Sequence, residues 1–143
     1  EQHCGQGVPK YLDLPSRRSF LLVTPASEER INSTFGGLAH QQSDLRCEIH
    51  PEDATVHGVA DGEQITLYNE QGELQVPARV SDAVRRGTLY LPKGAWLHSS
   101  PSGVSANTLI PGHREAAIGG ACYYDCSVDI RTTANPAHAS RRV

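Results

Sequence analysis

Between His50 and Trp96 the chain changes hydrophobic period every few residues, and no long helix or sheet can survive that punctuation. The stretch reads HPEDATVHGVADGEQITLYNEQGELQVPARVSDAVRRGTLYLPKGAW. Pro51 suits a first helical turn, where an N–H would go unused, and Glu52 and Asp53 follow at the positive end of the helix dipole. The helix is expected to run to about His57, with Gly58 closing it in the left-handed conformation and Val59 packing back on it. Asp61–Gly62 then turns into a strand over Glu63–Asn69 whose Ile65 and Leu67 share one face. Glu70, Gln71 and Gly72 make a short hairpin loop, with Gly72 available for a positive φ. The returning strand, Glu73–Val80, alternates Leu74, Val76, Ala78 and Val80 against Gln75, Pro77 and Arg79, and Pro77 marks an edge or a bulge. Ser81–Arg86 is a turn closed by Gly87, and Thr88–Leu91 is a further strand. The stretch holds no nucleophile–base pair and no cluster of metal ligands.

The flanking segments follow the same grammar. Ser19–Thr24 is a buried-strand run stopped by Pro25, and Ser27–Ile31 is one helical turn with Ser27 as N-cap. Gly36–Gly37 ends that unit, and Leu38–Asp44 is an exposed loop. Leu45–Ile49 is a strand. Pro92–Pro111 is a long irregular stretch, of the kind that more often serves a function than merely connects. Residues 122–131 form a last strand. The expected organisation is a linker or strap over residues 1–17, one barrel over 18–131 and a disordered tail over 132–143. Short strands, single-turn helices, 13 glycines and 9 prolines make a mainly β chain, and a compact β-barrel with short helices is its natural architecture.

Composition removes several functional classes. A net charge of −3 lacks the basic excess of a nucleic-acid surface, and no apolar run approaches the roughly 18 residues of a membrane span. The chain opens on Glu1 with no signal pattern and reads as the tail of a longer polypeptide. Its four cysteines, Cys4, Cys47, Cys122 and Cys126, are therefore expected as reduced thiols in a cytoplasmic setting. Cys122 and Cys126, placed on one strand, would share a face but lie too far apart to chelate one ion, so no bound metal is expected.

The order of these pieces resembles a known family. A strand running into Thr24-Pro25, Arg30 before Asn32-Ser33-Thr34, and His50 to Ala54 come first. Gly58-Val59, Asp61-Gly62, Gly72-Glu73, Ala78-Arg79-Val80 and Gly87-Thr88 follow, then Pro92 to Trp96, Asn107-Thr108-Leu109 and a final strand ending near Ile130. Together they resemble the C-terminal molybdopterin-dinucleotide-binding domain of the dimethyl-sulfoxide-reductase superfamily, and the spelling of RINSTFGG, PKGAW and GGACYYDC is nearest its formate-dehydrogenase-like branch. The resemblance implies a six-stranded double-psi β-barrel that closes over molybdopterin guanine dinucleotide. Molybdenum or tungsten would be carried by that cofactor and ligated outside this chain. The implied partners are the remaining domains of a catalytic subunit, with the electron-transfer partner left open and neither nucleic acid nor membrane involved.

The cofactor's pyrophosphate, ribose, guanine and pterin call for hydroxyls, amides, exposed N–H groups and a cation. The resemblance assigns cofactor contacts to Thr24, Pro25, Arg30, Asn32, Ser33, Thr34, Lys93, Gly94, Trp96, Asn107, Tyr123 and Tyr124. Arg30 is either a phosphate or pterin ligand or a surface residue, and Asn32-Ser33-Thr34 either a contact or a simple turn. Gly94 would allow close backbone approach, while Trp96 is either a contact or a core plug. Tyr123 and Tyr124, on a strand, would face opposite sides. His50 stands where Asn or Asp is the commoner helix cap. No residue is assigned a catalytic role. The alternative reading is a free-standing barrel module, or a small subunit of a multisubunit complex.

Overall fold

A computed structural model of the chain describes residues 18–27, 32–34, 45–97, 100, 103–112, 119–122 and 124–132. The expectations for 1–17, for 133–143, and for most of the 27–44 region lie outside those residues. Six strands form: β1 (Phe20–Val23), β2 (Cys47–Ile49), β3 (Gln64–Tyr68), β4 (Glu73–Val80), β5 (Thr88–Tyr90) and β6 (Ser127–Thr132). They close on themselves in the order β1-β5-β2-β4-β3-β6. β1 runs parallel to β5 and β2 parallel to β4, while the remaining neighbours are antiparallel. Two parallel pairs inside a closed six-stranded barrel are the double-psi arrangement expected from the sequence.

Alternation along the strands fills the barrel. On β4, Leu74, Val76 and Ala78 turn inward, opposite Leu67, Ile65 and Cys47 on the flanking strands. Phe20, Leu22, Ile49, Leu89, Leu91, Leu109 and Val128 complete the core, while Leu21, one residue out of phase, stands outside. Pro77 is on neither an edge nor a bulge. β4 lies between β2 and β3, and Pro77 is the last residue paired with β3 before Ala78 takes up β2. A residue without an N–H thus sits where the ladder changes partner.

The helix α1 (Pro51–His57) forms with the expected start and stop. His50 does cap it: its Nδ1 accepts from the Glu52 N–H at 3.2 Å. Gly58 adopts φ 66°, and Val59, buried, donates its N–H to the Ala54 carbonyl at 2.8 Å. Asp53 accepts from the Gly87 N–H at 2.7 Å and so fastens α1 to the start of β5. Across the β1–β6 seam, Arg18 bonds Asp129 at 2.8 Å and Glu70 at 2.9 Å, over the Tyr68 ring. Asp129 also accepts from the Ser19 N–H and hydroxyl. Partial burial pushes the Asp129 carboxyl upward, but bonds from Arg18 and Ser19 outweigh it and hold the group below its ordinary value.

Further expectations need correction. Gly72 has no positive φ; a Cβ there would instead stand 2.7 Å from Thr108 Cγ2, so one of the two would have to shift. The last strand begins at Ser127, not 122, and ends at Thr132. Asp125 instead turns back to donate its N–H to the Cys122 carbonyl at 3.4 Å. Tyr124 is consequently a turn residue, largely exposed, and does not alternate across a sheet. Cys122 and Cys126 likewise do not share a strand face.

Candidate functional site

Because β1 and β5 are parallel, both chains leave the barrel at the same end. They stay zipped beyond the strands: Leu91 N–H donates to the Val23 carbonyl and Lys93 N–H to the Pro25 carbonyl, each at 3.0 Å. Gly94, at φ 95°, then presses against the turn over residues 32–34. A Cβ on Gly94 would lie 1.8 Å from the Asn32 carbonyl oxygen, so only glycine permits this approach. Asn32 itself adopts a left-handed φ of 51°, which asparagine tolerates better than most residues. Trp96 donates its indole N–H to the Ser33 carbonyl at 2.6 Å and bolts the turn down from the far side.

A short 3₁₀ helix, Ala106–Leu109, supplies the third wall. Ala106 and Leu109 are buried, whereas Asn107 is exposed. Ser105 precedes the helix in an extended conformation, and its hydroxyl does not cap it. Asn32, Ser33, Lys93, Gly94, Ala95, Ser105, Ala106 and Asn107 enclose a pocket of about 230 Å³. The side chains of Asn32, Lys93, Ser105 and Asn107 make no hydrogen bond to another described residue.

Five sequence-assigned residues therefore converge on one pocket: Asn32, Ser33, Lys93, Gly94 and Asn107. Others do not line it. Thr24 is buried, Pro25 is partly buried, and Thr34 and Tyr124 are exposed. Trp96 is neither core plug nor lining: its ring is 37% exposed and it acts through Ser33. Arg30 and Tyr123 lie outside the described residues. Sequence reasoning missed Ala95, Ser105 and Ala106. No local signal marks them: Ser105 does not cap the helix, and four residues are too few to show a period.

A larger hollow of about 750 Å³, lined by His50, Asp53, Asp82, Val84, Arg85, Arg86 and Gly87, opens at the other end of the barrel. Part of its wall is spent on structure, although the side chains of Asp82 and Arg85 make no hydrogen bond or ion pair to another described residue. His50 caps α1, Asp53 holds the Gly87 N–H, and Arg86 pairs with Glu52 at 2.8 Å. The smaller pocket is the one on which the sequence-assigned residues meet. Among the described residues no group of three or more His, Cys, Asp or Glu is placed to hold a metal ion. Burial pushes the Cys126 thiol up to about 11, so it stays protonated and donates to the Leu109 carbonyl at 3.1 Å.

Residues 20–127 match the family model described as "Molydopterin dinucleotide binding domain". The chain belongs to that family. The match spans all of β1 to β5 and the 3₁₀ helix, and it bears out the superfamily resemblance drawn from the sequence. Among relatives, a biotin sulfoxide reductase of Cereibacter sphaeroides is 46% identical over 48 residues, 34% of this chain and 6% of that protein. A dimethyl sulfoxide/trimethylamine N-oxide reductase of Rhodobacter capsulatus is 35% identical over 54 residues, 38% of this chain and 7% of that protein. The acetylene hydratase of Pelobacter acetylenicus shares the fold, with a TM-score of 0.65 at 15% identity over 80% of this chain and 18% of that one. The family member described here thus corresponds to a small fraction of each of these proteins.

Proposed function

We propose that this barrel binds and orients molybdopterin guanine dinucleotide within a larger molybdenum or tungsten oxidoreductase, and that the pocket between the 32–34 turn, Lys93–Ala95 and Ser105–Asn107 is its contact site. The observation that carries the proposal is the convergence of Asn32, Ser33, Lys93, Gly94 and Asn107, from three segments distant in sequence, on one hollow with unspent polar groups.

The donor set suits part of such a ligand. Lys93 offers a point charge to a phosphate, and the amides of Asn32 and Asn107 offer paired donors and acceptors to a purine or pterin edge. Gly94 keeps the backbone close, and Ser105 adds a hydroxyl. The pocket's size fits one portion of the dinucleotide, so the remainder would extend beyond it, along the Thr24–Pro25 side where Arg30 follows in sequence. The bound metal would supply the two-electron chemistry. This chain's residues hold and orient; none is assigned to proton or electron transfer.

The substrate lies beyond this barrel's own residues. The sequence reading placed the chain nearest the formate-dehydrogenase-like branch and left the substrate open, whereas the two enzymes compared above are named as sulfoxide and N-oxide reductases. On their names we favour reduction of an S-oxide or N-oxide by the parent enzyme.

The test is titration of the chain with GDP, the nucleotide half of the cofactor, against Arg30→Ala and Asn107→Ala. Each substitution is expected to weaken binding at least tenfold, about 1.4 kcal/mol. Unchanged affinity in both would remove the site assignment. The mass of the native polypeptide, probed with an antibody to this chain, tests the larger-subunit reading: a band near 15.5 kDa would favour the free-standing module instead.

A further inference from the structure

The 3₁₀ helix that carries Ser105 and Asn107 to the pocket is four residues long, too short to hold its own place. It is held from outside by the β3–β4 hairpin. Asn69 Nδ2 donates to the Leu109 carbonyl at 2.7 Å and to the Ser127 carbonyl at 3.3 Å. Its Oδ1 accepts from the Gln71 N–H at 2.9 Å, which fixes the side chain's orientation. The Cys126 thiol donates to the same Leu109 oxygen. At the end of the same hairpin loop, just before β4, Gly72 faces Thr108, and a methyl group there would force one of the two to shift. Its φ is not positive, so the crowding against Thr108 is what distinguishes the position.

We infer that Asn69 and Gly72, which do not line the pocket, are positioning residues for it: the hairpin sets where Ser105 and Asn107 stand. Two anchors act on adjacent residues of one short helix, Thr108 from below and Leu109 from the side. A displacement at either must be passed to Asn107, one or two residues away. The inference rests on the proposed function for its ligand and on geometry alone for the placement.

The experiment again uses the chain and GDP. Asn69→Asp keeps the acceptor for Gln71 and removes both donors; affinity is expected to fall about tenfold, with Asn107→Ala adding little further loss in the same chain. Gly72→Ala should weaken binding about fivefold, and Thr108→Ser, which deletes the obstructing Cγ2, should restore it in the double variant. Losses from Asn69→Asp and Asn107→Ala that multiply, or a Gly72→Ala/Thr108→Ser chain as weak as Gly72→Ala, would overturn the inference. If Asn69→Asp does not fold, the Gly72 pair decides alone. If the unaltered chain does not bind GDP, the functional reading falls, and NMR decides the placement. Movement of the Asn107 side-chain and Ser105 amide signals in Gly72→Ala, reversed by Thr108→Ser, upholds it; unmoved signals reject it.

Discussion

The two ends of the barrel are both polar, yet they spend their polarity differently. At the α1 end, His50, Asp53 and Arg86 are engaged with Glu52 and the Gly87 N–H, so much of the larger hollow is bounded by groups already serving the fold, with Asp82 and Arg85 left over. At the β1/β5 exit, Asn32, Lys93, Ser105 and Asn107 keep their side chains unengaged by other described residues, while backbone and indole bonds do the holding. The contrast is one of degree: most polar side chains at the α1 end are committed, and those of the exit are not.

Substitutions at matched glycines give the widest contrast. Gly94→Ala places a methyl into the Asn32 carbonyl at an unfavourable φ and should cost about 3 kcal/mol or more, or prevent folding, as read from urea unfolding. Gly87→Ala meets open space and carries only the strain of φ 72°, about 1 kcal/mol. Equal losses would deny that the site end is the tighter one. Asp53→Ala strips the Gly87 N–H of its acceptor and should cost about 1–2 kcal/mol in the same assay, with GDP affinity unchanged. A fall in affinity would mean that the two ends are coupled.

The β1–β6 seam supplies a pH test belonging to neither end. Because the Asp129 carboxyl titrates lower folded than unfolded, its contribution is fully present above the ordinary carboxylate range and disappears as pH falls through the depressed folded value. Unfolding free energy should therefore drop with acid below about pH 4, and Asp129→Asn should flatten that slope. The smallest effect is expected from Arg86→Ala, which is itself exposed and whose nearer partner, Glu52, is exposed too: about 0.5 kcal/mol, diminishing with salt.

What the sequence made legible follows the range of the forces involved. α1 was readable because Pro51, the acidic pair and Gly58 act within one turn, and β3 and β4 because alternation is a property of neighbours. Gly72 was readable as necessary but not why, since its obstacle, Thr108, lies on a remote segment. The Cys122–Cys126 stretch has strand composition, but the turn at Cys122–Asp125 and the pull of Leu109 on Cys126 overrule it. Asn32, Lys93 and Asn107 were found through family resemblance, and their meeting in space needed the parallel pairing of β1 with β5. Trp96 was legible as important, while its task, a bond to Ser33, was not.

That bond spans 63 residues of chain. Nothing local can make it: the 32–34 turn meets Gly94 and Trp96 only after β1 has found β5 across the intervening strands. Such distant pairings carry their reward late, after loop closure has been paid in entropy. The pocket is therefore expected to be among the last features to form as the chain folds, and an intermediate with β3 and β4 already zipped would still be unable to grip a ligand.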